Sequence, residues 1–135
     1  MNNKRGGEKL ISKVGEVMLY VNDQDKAVKF WTKNVGFKQL ADETNEVGMR
    51  WIEIAPKTDS ATSIILFNKG FIAKMSPELN LGTQSIMFFT NNLEALHSHL
   101  KENNVQVGEI TVMSNEKVFN FADNEENYFA VMEEK

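Results

Sequence analysis

A stretch of sixteen residues that occurs twice constrains this chain more than any other feature. Residues 16–31 read EVMLYVNDQDKAVKFW, and residues 85–100, 69 positions on, read SIMFFTNNLEALHSHL. In each, a short apolar or aromatic run is broken by Asn or Asp and followed by apolar residues at helical spacing, which is the pattern of strand, turn and helix. The copies align Glu16 with Ser85, Met18 with Met87, Tyr20 with Phe89, Asp23 with Asn92, Ala27 with Leu96 and Trp31 with Leu100. Each helix ends near an Asn before a new apolar stretch, Asn34-Val35-Gly36-Phe37 in one and Asn103-Asn104-Val105 in the other. A repeat of this length predicts one folding unit used twice.

The residues that follow each copy extend the unit. Segments 36–40, 49–54 and 62–67 read as strands, with a polar turn at 42–45 and Pro56 stopping the middle strand. The second copy is followed by candidate strands at 105–112, 118–122 and 128–133, the last two joined by a turn at 123–127. The expected fold class is therefore α+β, with two tandem βαβββ modules forming a cup-shaped mixed sheet and helices on its outer face. One domain is expected over residues 14–134, made of module 14–68 and module 84–134. Gly70, Pro77 and Gly82 interrupt any period between them, so 69–83 reads as a linker with room for a short helical turn. Residues 1–13 read as a flexible tail.

Composition narrows the function classes. A formal net charge of −4 and the absence of long basic runs argue against nucleic acid as the main partner. No apolar run approaches the ~20 residues that span a bilayer, and no secretory apolar region follows Met1, so no membrane partner is expected. With no cysteine in 135 residues there is no disulfide, thiolate nucleophile or thiolate metal site, and a cytoplasmic location fits.

The doubled βαβββ order carries further marks: the strand, Asp23 and helix at the start, the Phe30-Trp31 pair followed by Val35-Gly36-Phe37, and Asp123-Asn124-Glu125-Glu126-Asn127 before the last strand. Together they resemble the vicinal oxygen chelate superfamily, which includes glyoxalase I, extradiol dioxygenases, fosfomycin-inactivating transferases and bleomycin-resistance proteins. The resemblance spans about residues 14–134, and its strength lies in the order of the marks rather than in any one.

In members that are enzymes, the resemblance implies a divalent metal held by four His, Gln or Glu side chains on strands lining the cup. The matching positions here are Glu16, Ile65, Ser85 and Ala130. Glu16 is a good donor, Ile65 and Ala130 have no donor atoms, and a Ser hydroxyl is a poor ligand for zinc or nickel. A slip of one residue adds only Gln84. The resemblance, read residue by residue, thus implies no metal and no other cofactor.

A binding cavity remains. Strand alternation sends one parity to the cup and the other to the helices. Val17, Leu19, Val21, Ile52 and Ile54 suit the helix side, beside Phe30 and Trp31. Glu16, Met18, Tyr20, Met49, Trp51, Glu53, Ser63, Ile65 and Phe67 suit the cup, as do Ser85, Met87, Phe89, Tyr128, Ala130 and Met132. Candidate ligand contacts are Met18, Tyr20, Trp51, Phe67, Ser85, Met87, Phe89, Tyr128 and Met132, with Glu16 and Glu53 as candidate general acid or base groups. Each has a plainer role: aromatics and methionines as packing or dimer contact, carboxylates as solvated strand ends. His97 and His99, two apart on a helix, match no ligand position and suit the solvent.

Two functions follow. One is a metal-independent protein that binds an aromatic or cationic organic compound, of the sequestration or resistance type. The resemblance implies that such members work as homodimers whose cups are completed by the partner. The other is an enzyme of the same superfamily, a lyase, isomerase or dioxygenase, that uses Glu16, Glu53 or a metal site at other positions.

Overall fold

The structure, a computed structural model, describes residues 10–134. The expected tail, 1–13, lies outside the described residues up to position 9, and residues 10–13 are exposed. Two βαβββ units follow one another, so the α+β architecture expected from the repeat is the one found. The first comprises β1 (Glu16–Val21), α1 (Gln24–Lys29), β2 (Lys38–Thr44), β3 (Arg50–Ala55) and β4 (Ser63–Asn68). After α2 (Lys69–Met75), the second comprises β5 (Met87–Thr90), α3 (Leu93–Glu102), β6 (Gln106–Val107), β7 (Thr111–Met113), β8 (Glu116–Ala122) and β9 (Tyr128–Glu133).

Residues aligned by the repeat do the same local work. The Asp23 side chain accepts the Lys26 amide at the start of α1, and the Asn92 side chain accepts the Ala95 amide at the start of α3, at 3.0 and 3.1 Å. Both satisfy a backbone donor that the first helical turn leaves open. Beyond Lys29 the helix widens into a π-helical turn over Phe30–Val35. It stops at Gly36, whose φ of 103° is open to glycine at little cost.

Each unit builds its own mixed sheet. The strand orders are β1-β4-β3-β2 and β5-β9-β8-β6, with β7 also on β8. The first strand runs parallel to the last in both units, Met18 opposite Ile65 and Met87 opposite Ala130. The remaining pairs are antiparallel.

Three local expectations shift. β5 begins at Met87, where its pairing with β9 begins, leaving Ser85 and Ile86 outside it. The expected strand at 105–112 is split into β6 and β7, and Gly108 in the gap donates its amide to the Asn120 carbonyl at 2.8 Å. The expected turn at 42–45 falls partly inside β2, which carries a register shift between Gln39 and Ala41. The turn itself closes three residues later, at Asn45 and Gly48. The linker holds α2, whose first turn is capped by the Asn68 side chain accepting the Phe71 amide at 2.8 Å.

One buried core serves both units. Leu19, Val21, Ile52, Ile54, Ile64 and Leu66 come from the first sheet, and Phe119, Phe121, Phe129 and Val131 from the second. Ala27, Phe30 and Trp31 of the first helix and Leu93 and Leu100 of α3 fill the space between. Each such side chain, fully buried, favours the folded state by about 1.5–3 kcal/mol. Trp31 departs from the expectation that it serves the first sheet. Its ring lies 5.3 Å from Phe129, 5.9 Å from Phe121 and 6.0 Å from Phe88, all on the second. The same helix holds the first sheet through Gln24, whose Nε2 donates to the Arg50 and Leu66 carbonyls at 2.9 Å. No helix among the described residues is long and apolar enough to cross a membrane.

Candidate ligand-binding site

Because inner-face residues of both sheets share that core, the opposite faces look away from it. Register lays the first outer face out in rows. Met18, Ile65 and Glu53 stand side by side on β1, β4 and β3, and Tyr20, Phe67 and Trp51 form the next row. The Tyr20 and Phe67 rings stack at 6.2 Å with 18° between planes. Tyr20, Met18, Trp51 and Phe67 are half-buried, and Ile65 is covered. On β2, Glu43 stands opposite Trp51.

The second outer face repeats the plan with other residues. Met87, Ala130 and Asn120 form one row, and Phe89, Met132 and Val118 the next. Here the apolar groups are open to solvent: Met87 is 45 % exposed, Phe89 64 % and Tyr128 61 %. Met113 on β7, opposite Glu116, adds to this surface at 64 % exposed. The Tyr128 hydroxyl accepts from Gln106 Nε2 at 3.5 Å, a long contact.

The structure thus gathers Met18, Tyr20, Trp51, Glu53 and Phe67 on one face, and Met87, Phe89, Tyr128 and Met132 on another. It does not bring the two groups together within the chain. A cavity of about 150 Å³ beside Phe67 is lined by Met49, Arg50, Phe71 and Ile72 among others. One of about 440 Å³ is lined by Phe89, Met132 and Glu116, Glu133 and Glu134, and the two share no residue. Glu16 is exposed at the start of β1, opposite Ser63, and Ser85 is exposed ahead of β5.

The polar groups differ in how firmly they are held. The Ser63 hydroxyl, on a residue only 6 % exposed, donates to Glu53 Oε2 at 2.7 Å. That is a short, charge-assisted bond, which fixes the carboxylate on the outer face. Among the described residues, no donor engages the other oxygen of Glu53, and none engages the Asn120 side chain. His97, expected to suit the solvent, is half-buried. Its Nε2–H tautomer donates to the Gly108 carbonyl at 2.8 Å and its ring meets Phe119 edge-on at 4.9 Å, anchoring α3 to the second sheet.

The family's metal would need four donors, and these residues do not fit it. Ile65 stands opposite Met18 and Ala130 opposite Met87, so each of those two rows presents hydrocarbon and thioether rather than hard donors. Among the described residues, no group of three or more His, Cys, Asp or Glu side chains is placed to hold a metal ion.

Sequence reasoning missed Asn120, Val118 and Glu43. Asn120 and Val118 lie in a strand whose facing is fixed by Ala122 and Tyr128 across the turn. Glu43, in a polar run that resembles a turn, sits inside β2 opposite Trp51. Between the two units lie further hollows: an apolar one of about 200 Å³ lined by Phe37, Phe88, Phe89, Leu96 and Phe121, and a polar groove of about 510 Å³ lined by Lys26, Lys29, Asn34, Asp123 and Glu126, each with others.

Comparison with known proteins agrees with this architecture. A Bacillus subtilis (strain 168) protein described as "Uncharacterized protein YetH" is 32% identical over 125 residues, which is 92% of this chain and all of that one. TnmS3, described as an antibiotic binding protein from Streptomyces sp. CB03234, is similar in structure with a TM-score of 0.78 and 28% identity, over 93% of this chain and 98% of that one. A Glyoxalase/bleomycin resistance protein/dioxygenase superfamily member from Sphaerobacter thermophilus DSM 20745 shares the fold, with a TM-score of 0.79 at 22% identity over 93% and 99% of the two chains. The family model described as Glyoxalase/Bleomycin resistance protein/Dioxygenase superfamily matches residues 13–131, and the chain belongs to that superfamily.

Proposed function

We propose that this chain is a metal-independent binding protein that sequesters an aromatic or cationic organic compound in a cup shared between two copies. The observation that carries the reading is the division of the candidate site: a stacked aromatic face with Glu53 and Glu43 on one sheet and an exposed Met and Phe face bordered by Glu116 on the other, both turned away from the common core. An apolar surface left open in this way is suited to a partner of complementary shape. A second copy supplies the first face to the second and, by two-fold symmetry, the second to the first. Aromatic and thioether side chains with few polar groups are the usual lining for a flat organic ligand. The similarity to TnmS3, described as an antibiotic binding protein, supports binding of a small organic compound. The poor fit of the metal positions favours binding over metal-dependent chemistry.

The test joins assembly to binding. Trp51 lies on the first face and Phe89 on the second, so light scattering and tryptophan fluorescence are followed together for the wild type and for Phe89→Glu. A two-chain particle with saturable quenching by planar aromatic amines, both lost in Phe89→Glu, is the expected result. Quenching that persists in a single-chain Phe89→Glu protein overturns the shared cup. Absence of a saturable response in the wild type across the panel overturns sequestration.

A further inference from the structure

The two outer faces are related by the internal repeat, and one row of that relation is chemically lopsided. Met18, Ile65 and Glu53 on the first sheet correspond to Met87, Ala130 and Asn120 on the second. Four of the six positions are apolar. The fifth and sixth occupy equivalent places on β3 and β8, one a carboxylate and one an amide.

We infer that Glu53 is the charge-reading group of the cup and Asn120 its neutral counterpart. The ligand would therefore carry a protonated amine or amidine on one edge of an aromatic body and a neutral hydrogen-bonding group on another. This rests on the shared-cup reading above. Glu53 meets the requirements of a charge reader. It is half-buried and its Oε2 is fixed by the Ser63 hydroxyl at 2.7 Å, while its second oxygen is open among the described residues. Ser63 is a positioning residue, itself only 6 % exposed, that holds the carboxylate on the face and leaves one oxygen for a ligand. Glu16 is the weaker candidate because it stands exposed at the strand end, where water screens its charge. Carboxylates outnumber cations in the rows on either side of Glu53: Glu43 stands opposite Trp51 on one side, and on the other Lys38 stands opposite Ala55 while Glu16 stands opposite Ser63. A carboxylate beside an aromatic row holds an aromatic cation by charge-assisted hydrogen bond and cation–π contact together. Asn120, exposed with both ends of its amide uncommitted, accepts or donates but adds no charge.

The probes are planar compounds of one shape and different charge: 9-aminoacridine, a cation at pH 7.5, and acridine, which is neutral there, titrated by calorimetry into the full chain. The wild type is expected to bind the cation about tenfold more tightly, the scale of a single charge-assisted hydrogen bond. In Glu53→Gln that preference falls to about twofold. Ser63→Ala loses part of the preference and Ser63→Thr, which keeps the hydroxyl, restores it, a pattern that a packing role alone does not produce. Asn120→Leu erases any gain that a carboxamide on the acridine ring confers. Equal binding of both probes by the wild type overturns this inference and leaves sequestration standing, as does a preference that survives Glu53→Gln. Failure of both probes and of the wider aromatic panel overturns the cup and this inference together.

Discussion

Glu126 holds the one backbone conformation in the β8–β9 turn that a side chain resists, with φ at 64°. The left-handed region costs a residue with a β-carbon roughly 1–2 kcal/mol, and glycine adopts it freely. Glu126→Gly is expected to raise stability by about 0.5–1 kcal/mol after allowing for the greater freedom of glycine in the unfolded chain, read as a higher urea midpoint at unchanged slope. At this scale the sequence was informative wherever parity decided the matter. In β1, Leu19 and Val21 are buried while Met18 and Tyr20 are half-exposed, as alternation requires. It was uninformative about which carboxylate is held. Glu16 and Glu53 look alike in the sequence, and only the approach of Ser63 from the adjacent strand separates them.

Helix starts show how elements from different units are tied. The Glu125 carboxylate, in the β8–β9 turn, accepts the Asn22 and Asp23 amides at 2.9 and 3.1 Å and the Asn22 side-chain amide at 3.1 Å. A carboxylate at a helix N-terminus satisfies open donors and complements the helix dipole. Glu125→Ala is expected to cost about 1 kcal/mol in urea unfolding and to lower amide protection at Asn22 and Asp23, measured by hydrogen exchange. The sequence showed the two helices and the turn residues ahead of them, because Asp23 and Asn92 recur at one offset. It could not show this tie, whose partners are 102 and 103 positions apart. Short elements were the other gap. α2 has only seven residues and includes Gly70, so its pattern is too brief to stand out, and it is stabilised by its cap and by Ile72, which is 8 % exposed.

For the molecule as a whole, Trp31 is the place where the two units become one. It is fully buried and its ring touches aromatic residues of both units, Phe37 and Phe30 on its own side and Phe88, Phe121 and Phe129 on the other. Trp31→Ala is expected to destabilise by about 3–5 kcal/mol. In the wild type, tryptophan fluorescence and far-ultraviolet circular dichroism should report one coincident transition; separate transitions would show that the units unfold independently. The βαβββ plan was visible in the sequence because each unit writes its own local pattern. The division of the candidate site was not, because it follows from how the two inner faces meet, through a Trp whose partners lie more than fifty residues away. The two unlike outer faces also set a rule of closure. When face one of each copy meets face two of the next, the contact is head-to-tail unless the second contact returns to the first molecule. Return gives a closed pair with both surfaces hidden; failure to return leaves an open filament that grows with concentration. In the shared cup proposed above, a substitution that tilts the common core, and with it the angle between the sheets, would act on the boundary between a discrete particle and a fibre.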